Sequence, residues 1–277
     1  MSPTDRGRFI VTKEHRRFTE FADAVRRDRT IGLCFGPAGV GKTLSARRYA
    51  HWDTVEPLLD DWGPRDNDAE QPINAALARA RTIVYTPYVG VTTRRLREDL
   101  HQLLTRAEIC IDTHLNPPPR PLTHPRPRNR RGSRIELCIV DEAERLTTSA
   151  LEHLRDHYDR GEHGLILIGM PGIEKRFVRY PQLYSRVGFA HHYRPLSHDE
   201  LIFVLTHHWH SLAEGLDPAD FTDHQAIAAV ARLTGGNFRL IERLFRQVDR
   251  ILEINDLTVI TADVIDTAAE TLVIGTT

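Results

Sequence analysis

Eight consecutive residues constrain this chain more than any others: Gly36-Pro37-Ala38-Gly39-Val40-Gly41-Lys42-Thr43. They follow the apolar run Ile31 to Phe35 and precede the helix-compatible stretch Leu44 to Ala50, so they occupy a strand-to-helix junction. Glycines at 36, 39 and 41 let the backbone turn its N–H groups toward an anion, and the start of the following helix adds its positive dipole end there. Lys42 can then reach the β- and γ-phosphates of a nucleotide, and the Thr43 hydroxyl can ligate Mg²⁺. The pattern predicts a nucleoside triphosphate cradle.

A second constraint lies roughly 100 residues further on, the separation at which a metal-binding carboxylate is sought after such a loop. Ile135 to Val140 is almost continuously apolar, as a strand buried on both faces of a parallel sheet must be, and it ends in Asp141-Glu142. Alone, an apolar strand followed by two acids is common. Behind a phosphate loop, Asp141 is expected to bind the metal and Glu142 to act as the catalytic base that polarises the attacking water.

The remaining elements complete an α/β alternation. A helix is expected after Thr12, with Phe18, Phe21, Ala22 and Val25 at helical spacing. Thr82 to Thr86, Leu165 to Gly169 and Ala190 to Tyr193 read as further strands, with helices capped at Thr92 or Thr93 and at Thr147-Thr148 between them. Residues 51–71, rich in Asp, Trp, Pro and Gly, read as an irregular or partly mobile connection. From Ser197 the pattern is wholly helical: a capping box at Ser197 and Glu200, helix starts at Asp217-Pro218 and Thr222, a break and restart at Gly235-Gly236-Asn237, and a last helix from Thr261. The expected fold is α/β, a P-loop NTPase with a five-stranded parallel sheet between helices and a small C-terminal α-helical domain. Its boundary falls near Pro195, giving 1–195 and 196–277.

Composition narrows the partners. The net charge of -1 over 277 residues gives no bulk attraction to nucleic acid, so any such surface must be local. Three local concentrations of arginine occur. The first helix carries Arg16, Arg17, Arg26, Arg27 and Arg29, as a solvated face or as a contact surface. Arg94, Arg95 and Arg97 sit together at a helix start beyond a core strand. Residues 117–134 interleave prolines with arginines and hold no acid, which reads as a projecting basic loop, either a solvated insertion or an electrostatic contact to phosphates.

Cys34, Cys110 and Cys138 form no CxxC pair, so neither zinc nor a disulfide framework is supported. His207-His208-Trp209-His210 lacks the spacing of a helix-based zinc site, and His191-His192 alternates across a strand, so neither is a metal candidate. Met1 to Arg8 is polar, and no run of about 18 apolar residues occurs, so no membrane is expected and a cytoplasmic location is.

Taken together, these pieces resemble the AAA+ ATPases over nearly the whole chain. The resemblance makes ATP and Mg²⁺ the cofactors and the nucleotide site Gly36, Pro37, Ala38, Gly39, Val40, Gly41, Lys42, Thr43 and Leu44. The helical domain becomes a lid, and Gly236-Asn237-Phe238-Arg239 is similar to the family's sensor 2 motif, which implies that Arg239 reaches the γ-phosphate. Arg186, in Tyr-Ser-Arg-Val-Gly-Phe before the last strand, stands where the family places an arginine finger acting in trans, which implies a homo-oligomer. Met170 occupies the sensor 1 position, where the family uses a polar residue, and its thioether is a poor orienter of water, so slow hydrolysis is expected.

Within the family, Leu167 to Glu174 and Tyr180 to Phe189 look like the transposition regulators of the TnsC, TniB and MuB kind. That likeness implies a hexameric or heptameric ring or a helical filament on duplex DNA, sequence-independent backbone contacts through Arg94 and Arg95, and a transposase partner. The alternative is a nucleotide-switched interaction module of a secretion or signalling type that never touches DNA. A small-molecule kinase is disfavoured because no acceptor pocket is identifiable.

Overall fold

A computed structural model describes residues 9–63, 67–116, 134–208 and 221–272. Met1 to Arg8, residues 117–133, Trp209-His210 and Asp217-Pro218 lie outside the described residues. So do the side chains of His207, His208 and Thr222, although the helix expected to start at Thr222 is present over Phe221–Thr234. The chain divides into two compact units: residues 18–36 with 42–192, and residues 1–17 with 37–41 and 193–277.

The first unit is built on a sheet of five parallel strands, β1 (Ile31–Phe35), β2 (Thr82–Tyr85), β3 (Leu137–Val140), β4 (Gly164–Gly169) and β5 (Val187–His192), in the order β2-β3-β4-β1-β5. β2, β3 and β4 are buried along their whole length, which is why they read as unbroken apolar runs. β5 is an edge strand of alternating burial and starts at Val187, three residues before the apolar pattern places it, because the exposed Gly188 interrupts that pattern between Val187 and Phe189. His191 packs against Phe18 and Phe21 while His192 stacks on Phe35, so the two rings go to opposite faces.

Helices α1 (Lys13–Asp28), α2 (Lys42–Tyr49), α3 (Trp52–Asp60), α4 (Asn67–Ala80), α5 (Thr93–Leu115), α6 (Thr148–Arg160), α7 (Ile173–Val178) and α8 (Pro181–Tyr184) accompany the strands. The expectation of an irregular connection over 51–71 is overturned by α3 and the first part of α4. Trp52, Val55 and Leu59 bury one face of α3 at helical spacing. That burial, worth about 1.5–3 kcal/mol per large side chain, outweighs the missing amide of Pro57. Sequence-level caps correspond to real ones: Thr92 accepts from the Arg95 amide at 3.2 Å and Thr147 from the Ala150 amide at 3.2 Å.

The second unit is helical, with α9 (His198–His208), α10 (Phe221–Thr234), α11 (Phe238–Asn255) and α12 (Ala262–Glu270) around a core that includes Leu201, Val204, Ile227, Ile241, Leu244, Phe245 and Ile265. Ser197 and Glu200 form the expected capping box, with the Ser197 amide donating to Glu200 Oε2 at 3.1 Å. The buried Glu200 carboxylate also accepts from the Lys13 amide at 2.9 Å, and Glu14 accepts from the Arg194 amide at 3.2 Å, which ties the first turn of α1 into this unit. Among the described residues no helix is long and apolar enough to cross a membrane.

Candidate nucleotide site

Parallel pairing brings four strand ends to one edge of the sheet: Phe35 lies opposite Gly169, and Val140 opposite both Tyr85 and Leu167. The connections leaving Phe35, Tyr85, Val140 and Gly169 therefore start from the carboxyl edge, where open α/β sheets bind ligands. Lys42 and Thr43 open α2 there, and Asp141 and Glu142 leave β3 beside them.

Asp141 is 3% exposed, and its backbone amide donates a hydrogen bond to the Tyr85 carbonyl at 2.9 Å. The Thr43 hydroxyl donates to Asp141 Oδ2 at 2.6 Å, and the Glu142 amide donates to Asp141 Oδ1 at 2.9 Å. Two hard oxygen donors thus converge from α2 and β3, the donor set that suits Mg²⁺ held partly by protein and partly by phosphate oxygens. Among the described residues no group of three or more His, Cys, Asp and Glu side chains could hold a metal by itself, and Mg²⁺ needs no such cage.

Lys42 is buried and its ammonium donates to the Gly36 carbonyl at 2.5 Å, which keeps a cation at the root of the loop. Glu142 has a left-handed backbone, φ 50°, a costly conformation for a residue with a side chain. It turns the chain sharply into a 3-10 turn at Ala143–Arg145, where the Arg145 guanidinium pairs with the Glu142 carboxylate. Leu44 is half exposed on the first turn of α2, and Met170 is 39% exposed just beyond β4.

Arg186 lies between α8 and β5. Its guanidinium forks onto Asp159 of α6, with Nε to Oδ1 at 2.6 Å and Nη2 to Oδ2 at 2.9 Å, and Nη1 donates to the Gln182 carbonyl at 2.5 Å. Arg155 shares the same carboxylate at 2.6 Å, and the Arg186 guanidinium beside Asp159 holds its carboxyl below the ordinary range. Nothing in sequence spacing pointed to Asp159 as this partner.

The start of α5 carries Arg94 and Arg95, exposed and paired one turn on with Glu98 at 2.9 Å and Asp99 at 2.8 Å. The connection from β2 into this helix exposes Tyr88 and Val89, 71% and 83% accessible. On α1, Arg26 shares Glu136 with Arg81, Arg17 pairs with Glu14, and Arg27 pairs with Asp28.

In the helical unit, residues 37–41 of the loop lie against the start of α11. Asn237 is the N-cap, its Oδ1 accepting from the Leu240 amide at 3.3 Å, while its Nδ2 donates to the Ala38 carbonyl at 2.7 Å. The Arg239 amide donates to the Gly39 carbonyl at 3.0 Å. A Cβ on Gly39 would lie 2.6 Å from Asn237 Oδ1, and φ at Gly39 is +79°, so both approach and backbone demand glycine. The Arg239 side chain is exposed.

Comparison with known proteins agrees with this architecture. A family model described as an AAA domain matches residues 25–177. A Staphylococcus aureus protein described as a potential ATP-binding protein is 42% identical over 268 residues, covering 96% of this chain and 97% of the relative. Among solved structures, Thermotoga maritima RuvB, described as a Holliday junction branch migration motor, aligns at a TM-score of 0.54 and 18% identity, over 95% of this chain and 70% of that one. Aeropyrum pernix ORC2 in ADPNP-ADP complexes aligns at 0.55 and 14%, over 97% and 72%. At these identities the two structures speak for the fold alone.

Proposed function

This chain belongs to the AAA domain family of ATP-binding proteins, and we propose that it is an ATPase that assembles on duplex DNA and hands it to a transposase. In this reading ATP lies on Gly36 to Leu44, with Lys42 on the β- and γ-phosphates. Thr43 and Asp141 hold Mg²⁺, and Glu142 orients the attacking water. Arg239 senses the γ-phosphate within the subunit, and Arg186 completes the site of a neighbour in a ring or filament. The convergence of Thr43 and Asp141 supports the metal part of this assignment.

One observation carries the DNA part: the start of α5. Arg94 and Arg95 stand at a helix N-terminus, where the dipole disfavours cations, next to the exposed Tyr88 and Val89. Both guanidiniums are exposed, so solvent screens their intrahelical ion pairs and duplex phosphates can compete with the carboxylates for them. Contacts of this kind are blind to sequence and weaken steeply with salt.

The test is fluorescence anisotropy of two unrelated labelled duplexes, with and without a slowly hydrolysed ATP analogue. ATP-dependent binding to both, lost in the Arg94→Glu/Arg95→Glu double variant while analogue binding persists, supports the proposal. Absence of ATP-dependent binding in the unaltered protein sinks the DNA reading. It would leave the alternative of a nucleotide-switched protein-interaction module, which the net charge of -1 and the carboxylate partners of Arg94 and Arg95 favour.

A further inference from the structure

The turn of α11 that presents Arg239 is also bonded to the backbone of the phosphate loop. A trans peptide is planar, with the carbonyl of one residue and the N–H of the next pointing in opposite directions. The Asn237 carboxamide draws the Ala38 carbonyl toward α11 at 2.7 Å, and the Arg239 amide draws the Gly39 carbonyl at 3.0 Å. By planarity, the N–H groups of Gly39 and Val40 are turned away from α11. Those N–H groups are the ones that a phosphate cradle of this pattern uses.

We propose that Asn237 is a positioning residue for nucleotide binding: its carboxamide, together with the Arg239 amide, sets the peptide planes of Ala38-Gly39-Val40 in the orientation that accepts phosphate. The inference rests on ATP occupying this loop. It assigns to Asn237 a task separate from that of the Arg239 side chain, and it makes the helical unit a determinant of affinity through the loop's backbone.

The mounting of Asn237 is rigid. Oδ1 faces the Leu240 amide and Nδ2 faces the Ala38 carbonyl, so only one orientation of the carboxamide satisfies both ends. The residue before it is fixed as well: the Leu196 amide donates to the Gly236 carbonyl at 2.9 Å, and the Gly236 amide donates to Thr234 Oγ1 at 3.3 Å. A Cβ on Gly236 would meet the Leu196 carbonyl oxygen at 2.2 Å, so this approach needs glycine. The Arg239 amide is one of the first-turn donors that a helix cannot satisfy internally, and the Gly39 carbonyl supplies its acceptor. A cradle held this way before the nucleotide arrives loses less conformational freedom on binding.

The cap and the clamp can be separated chemically. Serine and aspartate cap helices as well as asparagine does, but ionised aspartate has no donor for the Ala38 carbonyl, and serine, with a single hydroxyl, has no second arm to place a donor where Nδ2 stands. Asn237→Ser is titrated with fluorescent ATP, ADP and AMP, and its nucleotide-free melting temperature is recorded. ATP and ADP are expected to bind about 5- to 10-fold more weakly, the equilibrium equivalent of one lost hydrogen bond, with AMP unaffected. The melting temperature should stay within about 2 °C of the unaltered protein's. Asn237→Asp serves as the second variant and adds repulsion toward the polyphosphate, so its ATP loss is the larger. ATP affinity within about twofold of the unaltered protein in both variants overturns the proposal, since one hydrogen bond is worth more than that. So does weakening that is equal for AMP and ATP, or that follows a lowered melting temperature in both. Failure of the unaltered protein to bind ATP would instead overturn the nucleotide assignment of the loop itself.

Discussion

Acid should loosen the sheet unit at one identifiable place. His163, between α6 and β4, is 4% exposed, and burial, aided by the neighbouring His157, pushes its pKa down from 6.5 to about 4. The two rings lie 5.2 Å apart, and His157 is also held below its ordinary value by burial and by His153. Because the folded protein disfavours the protonated ring, this contribution to stability is complete above pH 6.5 and is lost as the pH falls toward 4. Proton linkage for His163 alone gives about 2 kcal/mol lost between pH 8 and pH 5, and about 3 kcal/mol once the pH is below 4. Urea unfolding of the unaltered protein and of His163→Leu, each at pH 8 and pH 5, isolates this quantity. The absolute stability of the variant drops out, and only the change between the two pH values is compared. The unaltered protein should lose about 2 kcal/mol more than the variant across this interval. Equal losses would refute the reasoning and place the acid sensitivity elsewhere.

Three further outcomes follow from the site. Glu142→Gln keeps the size and polarity of the side chain but removes the proposed base, so single-turnover assays should show ATP bound and hydrolysis slowed about 10²- to 10⁴-fold. If Met170 holds the position where the family places a polar side chain, phosphate release at saturating ATP should stay below roughly 10 s⁻¹, the median for enzymes; a polar replacement, Met170→Asn, tests whether that residue sets the limit. Gly236→Ala must fit a Cβ against the Leu196 carbonyl at a φ of +75°, and thermal or urea unfolding should report about 2–4 kcal/mol of destabilisation in the helical unit.

How much of this was legible in the sequence depends on the range of the interaction. The phosphate loop, the apolar strands β2, β3 and β4, and the caps at Thr92, Thr147, Ser197 and Thr261 are written in residues a few positions apart, and they read directly. α3 did not, because Asp53, Pro57 and Asp60 interrupt a pattern whose decisive residues, Trp52, Val55 and Leu59, matter only once a neighbour covers them. The first three residues of the edge strand β5 do not read as strand, because the outward Gly188 between Val187 and Phe189 carries no strand signal. The partners of Arg186 and of Asn237 were invisible for a different reason. Asp159 is 27 positions from Arg186, and Ala38 is 199 positions from Asn237, and no local pattern encodes such a pairing.

The fork between Arg186 and Asp159 makes any trans-acting role a contest between two anions. In an isolated subunit the guanidinium already has a carboxylate, in a setting where solvent keeps such pairs within about 1 kcal/mol. A neighbour's triphosphate with its metal offers a stronger field, but only when a second subunit is close. Hydrolysis governed by this arginine would therefore have a threshold in protein concentration. Below it the residue would stay on its own chain, and above it each added subunit would both gain and supply a finger. Weakening the intrachain anion, as in Asp159→Asn, should lower that threshold without changing any group that touches the nucleotide.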